Sequence, residues 1–251
     1  PINGQVGLHP NLPYLKSLYD AGQVAIVQGV GYANPDLSHF SSMALWMHGK
    51  VGGGLNNGWV GRWLDGLGGD DPFRAATVGQ GLPLHLIGDN KRGIAIPQWG
   101  VGFGGSTNEH QLWMYDAMRS LAGTPAGRGA WHDTIAKTVK GVIDVGQQVA
   151  PVFEQSLPNG RLEKKLTVIA RLINANLGMR VLDTGYDGFD NHSSEPQELP
   201  GLLTDFDRVV FDLQVTLDVN EVVQFGDKIK IRLLTRLIAH DVGTHATKTL
   251  C

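Results

Sequence analysis

Two side chains in the segment GFDNH, at residues 188–192, offer the clearest chemistry in this sequence. Asp190 can supply a hard carboxylate oxygen and His192 a borderline imidazole nitrogen to one divalent ion, or to two neighbouring ions. Both follow a strand-like segment, 180–182, in a polar loop flanked by glycine, where open α/β sheets bind their ligands. The pattern predicts a metal-binding segment. The alternative is an Asx-turn at Asp190 beside a solvated His192.

A second candidate is the dipeptide Ser38-His39, within Asn34–Phe40. Ser38 and His39 have the side chains of a nucleophile and its general base. Neighbours in sequence do not thereby face each other, and the local pattern favours Ser38 as the N-cap of a helix over 39–47. The two interpretations are compatible if the start of that helix binds an anion.

Near the C-terminus, His240, Asp241 and His245 place three metal-competent side chains within six residues. Asp241 and His245 are therefore predicted as further ligands. The alternative is a frayed polar tail.

The elements that must position these residues alternate between helical and strand-like patterns. The apolar run 24–31, rich in β-branched residues, predicts a strand buried on both faces and hence a parallel sheet. Further strands are predicted at 180–182 and 222–225, with a strand or a helix start at 228–234. Helices are predicted over 12–19, 108–123, 131–153, 161–177 and 199–217.

The expected fold is one α/β domain spanning 1–251, with a mostly parallel sheet flanked by helices. Within it, glycine clusters predict a loop-rich insertion or cap over 31–108. Within the end of the chain, 219–251, the last 20 residues show no clear period and are left unassigned.

Composition excludes several classes of protein. A net charge of -3 without a basic run argues against a nucleic-acid partner. Cys251 is the only cysteine, which rules out an intrachain disulfide and a cysteine-rich zinc site. No apolar run approaches the roughly 20 residues that a membrane-spanning helix needs.

Several segments, taken in order, resemble one bacterial family, catalogued as domain of unknown function 1501. The likeness covers roughly residues 7–215, and the ordered set is more specific than any single motif. The segments that carry it are GLHP at 7–10, LKSLYDAG at 15–22, VAIVQGVGY at 24–32, NPDLSHF at 34–40, GWVGRWLD at 58–65, IARLINANLGMRV at 169–181 and GFDNHSSEPQELPGLLTDFDR at 188–208.

The resemblance implies an alkaline-phosphatase-like fold and hydrolysis or transfer of phosphate or sulfate esters, so the expected substrate is a small anionic ester. It implies divalent metals (zinc, calcium, magnesium or manganese) that activate a serine or threonine nucleophile. Asp190 and His192 match the family's GxDxH pattern, and Ser38 is retained from its NPSRSHF pattern. Export by a twin-arginine signal, and so a periplasmic or secreted location, is implied as well.

The chain also departs from the family pattern. It begins after the family's first strand and GGxDG-like turn, so the fold is expected to be incomplete at its N-terminus. Asp36 and Leu37 replace a serine and an arginine, and residues 243–246 only echo the family's TDHG pattern. The first expectation is an exported metal-dependent hydrolase-like domain. The alternatives are a non-catalytic envelope or binding module of the same fold, and a fragment that pairs with another chain through an open sheet edge.

Overall fold

The structure is a computed structural model that describes residues 2–4, 6–52, 54–100, 109–190 and 193–219, with side chains as far as Leu213. Seven helices and three strands lie within these residues. The helices are α1 Pro13–Asp20, α2 His39–His48, α3 Trp59–Asp65, α4 Glu109–Ala122, α5 Ala130–Val149, α6 Arg161–Asn174 and α7 Glu195–Val219. The strands are β1 Ala75–Val78, β2 Ile94–Ile96 and β3 Val181–Thr184. Short 3₁₀ turns occur at Pro72–Arg74, Leu84–Leu86 and Ala150–Phe153.

The three strands form one parallel sheet with β1 between β2 and β3. Every residue of β1 is buried, as expected for a central parallel strand covered on both faces. The predicted α/β class with a parallel sheet is therefore confirmed within the described residues.

The two faces of β1 support different packing clusters. Ala76 and Val78 belong to the larger apolar core, whose helical part comes mainly from α6 and α7. Ala75 points to the opposite face and joins a smaller cluster with Val60 and Leu64 of α3. Because side chains alternate along a strand, Thr77 lies on the α3 side with Ala75.

The strand predicted at 24–31 is wrong, because the structure has no regular element there. Val27 and Val30 are 77% and 58% exposed, so this apolar run lies outside the core. Gly29 adopts a positive φ of 68°, which interrupts an extended backbone.

The central strand comes instead from Ala75–Val78, and β2 from Ile94–Ile96. Both lie inside the segment 31–108, which the glycine pattern assigned to a loop-rich insertion or cap. The same segment holds α3, for which the sequence analysis predicted no helix.

The predicted helices at 12–19, 108–123, 131–153, 161–177 and 199–217 and the strand at 180–182 are confirmed, with shifts of a few residues at their ends. The helix predicted at 39–47 is α2, with Ser38 as its N-cap. No helix of the described residues is both long enough and apolar enough to cross a bilayer. The segments 222–225 and 228–234 lie outside the described residues.

Candidate functional site

Asp190 lies in the loop that follows β3, and this loop is fastened to α7. The Tyr186 hydroxyl donates a hydrogen bond to Asp205 Oδ2 at 3.0 Å. Burial, and then the bond to the Asp205 carboxylate, raise the pKa of Tyr186 to about 12, so its hydroxyl stays a donor. The Phe189 ring meets the Tyr186 ring edge to face at 5.4 Å and packs against the core. These contacts fix the backbone that presents Asp190.

Gly188 allows this loop to lie close to α7. Its φ is +113°, and a Cβ built on it would lie 3.2 Å from Leu202 Cδ2. The glycine of the segment 188–192 therefore meets both a backbone and a packing requirement.

Ser38 caps α2 and lies in a loop that is held by several local hydrogen bonds. Its Oγ accepts a hydrogen bond from the Ser41 amide at 3.4 Å, and its own amide donates to Asp36 Oδ1 at 2.8 Å. The Asp36 carbonyl in turn accepts a 2.5 Å hydrogen bond from Ser42 Oγ. The capping role predicted for Ser38 is confirmed.

The first turn of α2 meets the loop after β3. His39 Nε2 lies 3.6 Å from Asp190 Oδ1, and the two side chains are 40% and 62% exposed. This distance exceeds the usual 2.7–3.2 Å of an N–H···O hydrogen bond. Two donor atoms each about 2.1 Å from one tetrahedral cation would stand about 3.4 Å apart. The spacing therefore suits two ligands of one ion, and the His39 Nε2 atom itself is buried.

Two of the six predicted site residues, His39 and Asp190, thus come together, and Ser38 precedes His39 in the chain as the N-cap of α2. His192, Asp241 and His245 lie outside the described residues. Among the residues that the structure does describe, no group of three His, Cys, Asp or Glu side chains has metal-binding geometry. The described part of the site therefore offers a cation two protein ligands.

A second histidine–aspartate pair lies on the α3 side of the sheet. His85 Nε2 is 3.5 Å from Asp183 Oδ1, and Thr77 Oγ1 donates to Asp183 Oδ2 at 2.9 Å. Burial by itself favours the neutral acid of Asp183. The hydrogen bond and charge of His85, the hydrogen bond from Thr77 and the charge of Lys165 outweigh it and lower the pKa. Asp183 is therefore a carboxylate held in its charged form.

Glycines of the α3 segment set the position of the turn that carries His85. A Cβ on Gly58 would lie 2.2 Å from the His85 Cα, and one on Gly61 would lie 2.1 Å from the Ile87 carbonyl carbon. The Gly58 amide also donates to the Ile87 carbonyl at 2.7 Å. Only glycine at both positions permits this close approach of two backbones.

The sequence analysis missed Thr77, His85 and Asp183. The signals that could have found them are an aspartate at the end of the strand-like segment 180–182 and glycines three residues apart in GWVGRWLD at 58–65.

No family model, no curated protein and no solved structure matches this chain.

Proposed function

We propose that this chain is a metal-dependent hydrolase of phosphate or sulfate esters with an alkaline-phosphatase-like fold. The observation that carries the proposal is the 3.6 Å approach of His39 Nε2 to Asp190 Oδ1, directly beside Ser38 at the start of α2. Ligand side chains on a loop after a parallel strand, next to a hydroxyl at a helix start, suit a site for anionic esters.

The two donors fit a divalent cation. A neutral imidazole nitrogen and a carboxylate oxygen are usual ligands of zinc, and their spacing agrees with a shared ion. His192, two residues after Asp190, is proposed as a further ligand, and Asp241 and His245 as others. When bound, the cation polarises the ester and neutralises charge on its oxygens.

Ser38 is proposed as the nucleophile or as a contact to the anion. Its Oγ accepts the Ser41 amide, so its hydroxyl proton stays available for donation. The positive end of the α2 dipole favours an anionic ester at this position. If Ser38 attacks, its oxygen forms the new bond to phosphorus or sulfur and its proton passes to water. The bond to the leaving oxygen breaks, and that oxygen keeps both electrons and takes up a proton.

Binding of Zn²⁺, Mn²⁺, Mg²⁺ and Ca²⁺, measured by titration calorimetry and elemental analysis, tests the metal site. Asp190→Asn and His39→Ala should each weaken binding of the preferred ion at least tenfold. Asp187→Asn, an exposed carboxylate in the same loop, is the matched control and should bind normally. An unaltered protein that binds none of the four ions would disprove the proposal.

Hydrolysis of p-nitrophenyl phosphate, bis-p-nitrophenyl phosphate and p-nitrophenyl sulfate tests the activity. With the bound ion present, Ser38→Ala should abolish turnover while leaving ion binding intact. Turnover that survives this change would remove Ser38 as the nucleophile and leave it as an anion contact.

One observation favours a second candidate, a non-catalytic binding module of the same fold. Ser38 Oγ serves as the cap of α2, and the Asp36 carboxylate accepts the Ser38 amide beside it. A protein that binds the ion and the esters without turning them over would be this module.

Export to the periplasm or the medium is part of the proposal and rests on the family resemblance. Fractionation of cells that express the full gene tests it.

A further inference from the structure

The pair of His85 and Asp183 has the construction of a proton-transfer dyad. Thr77 and Asp183 are register partners on β1 and β3, so they lie side by side on one face of the sheet. Thr77 is 4% exposed, and its hydroxyl holds one carboxylate oxygen of Asp183 from the interior. The other oxygen is left to face His85.

His85 is placed so that only one of its ring nitrogens is occupied. Nε2 faces Asp183 Oδ1 at 3.5 Å, and the side chain retains 16% exposure. Within the described part of the chain, Nδ1 of His85 has no hydrogen-bond partner. A carboxylate on one nitrogen fixes the ring orientation and leaves the other nitrogen to exchange a proton with a substrate.

The dyad and the candidate site are built on neighbouring elements. The 3₁₀ turn that carries His85 packs against α2, the helix that begins at Ser38 and His39. Asp183 is on the strand whose following loop contains Asp190. Each of the two pairs therefore takes its aspartate from β3 or from the loop after it. Their histidines come from two neighbouring elements.

We propose that His85 is a further catalytic residue, which protonates the leaving-group oxygen of the ester; this inference rests on the proposed hydrolase function. Asp183 is its positioning residue. As the bond from phosphorus or sulfur to the leaving oxygen breaks, that oxygen keeps both electrons and takes the proton from Nδ1 of the imidazolium. His85 becomes a neutral imidazole whose Nε2–H still faces Asp183. The bond that forms joins phosphorus or sulfur to the attacking oxygen.

Two phosphate monoesters that differ in the basicity of their leaving group test the role. Phenyl phosphate leaves as a more basic oxyanion than p-nitrophenyl phosphate and so depends more on a general acid. His85→Gln should lower kcat on phenyl phosphate by about 10²-fold or more, and on p-nitrophenyl phosphate at least tenfold less. Asp183→Asn keeps the imidazole and should show a smaller loss of the same dependence. His110→Gln, an exposed histidine on α4, is the control and should change neither rate.

The outcomes separate this inference from the proposed function. An equal loss on both esters, with metal affinity unchanged, would mean a merely structural role for His85 and would overturn the inference alone. If His85→Gln does not fold, the leaving-group dependence of Asp183→Asn decides in the same way. A wild-type protein that binds the ion but hydrolyses none of the phosphate monoesters, the phosphate diester and the sulfate ester would refute the hydrolase function and with it the acid role of His85.

Discussion

Asp183 is a carboxylate whose neighbours stabilise its charged form, and this makes it a source of pH-dependent stability. Its pKa lies below the ordinary value of 3.8 because His85, Thr77 and Lys165 outweigh the effect of burial. A native pKa below the unfolded value means that the contribution is fully present above about pH 4 and is lost as the pH falls through the lowered native pKa.

Asp183→Asn should therefore destabilise the protein most at the upper end of the range from pH 5.5 to pH 2.5. An amide cannot carry the charge, and we expect a loss of about 1–3 kcal/mol at pH 5.5, typical of a broken charged hydrogen bond. The difference from wild type should shrink as the pH falls below about 4. Urea unfolding across this range measures it, with Asp187→Asn as the matched control. A difference that stays constant with pH would contradict this account.

For single residues, the sequence identified candidate site residues but not which of them lie close together in the fold. Ser38, His39 and Asp190 were identifiable from residue type and local pattern. The 3.6 Å approach of His39 to Asp190 depends on how α2 lies against the loop after β3, which no local pattern encodes. His85 was missed because a single histidine among the apolar residues of LPLHL, 82–86, gives no spacing signal until Asp183 lies beside it.

Among the elements, α3 has the glycine that most directly determines where the turn carrying His85 lies. It packs its backbone against the turn that carries His85, and Gly61 is the closest point, with a built Cβ 2.1 Å from the Ile87 carbonyl carbon. Neither partner at this contact is a flexible side chain. The helix and the turn must separate if any side chain is added at Gly61.

Gly61→Ala should lower the free energy of unfolding by about 3 kcal/mol, the upper end of overpacking effects, despite the higher helix propensity of alanine. Gly66→Ala is the matched control at the end of the same helix. Its added Cβ would lie 3.5 Å from the Trp63 carbonyl oxygen, an ordinary contact, so we expect a change within about 0.5 kcal/mol. Urea unfolding of both variants checks this. Equal free energies of unfolding for Gly61→Ala and Gly66→Ala would show that the turn moves away from α3 without loss of stability.

Helices were more predictable than strands for a physical reason. A helix such as α6 repeats its buried face over four turns, and the resulting period survives irregularities at its ends. The central strand β1 has only four residues, and its alanines and threonine carry little apolar signal. The run 24–31 has the stronger β composition, yet it is exposed, because β propensity reports packing that only the tertiary fold supplies.

For the whole molecule, the approach of His39 to Asp190 connects parts of the chain that are far apart in sequence. α2 packs against the 3₁₀ turn Leu84–Leu86, whereas the loop after β3 is fastened to α7 through Tyr186. A cation held by both side chains would join these two regions. Because an unfolded chain lacks this arrangement, ion binding should stabilise the native state.

Adding the preferred divalent ion should therefore raise the Tm of the wild-type protein. At a free ion concentration of 100 times Kd, the linkage relation gives about 2.7 kcal/mol, or roughly 5–10 °C for a chain of this size. Asp190→Asn should lose most of the shift because it removes one of the proposed ligands, whereas Asp187→Asn should keep it. Differential scanning calorimetry at several ion concentrations measures the effect. A Tm shift of equal size in Asp190→Asn and wild type would mean that the stabilising ion binds elsewhere on the molecule. That result would refute a metal site at His39 and Asp190.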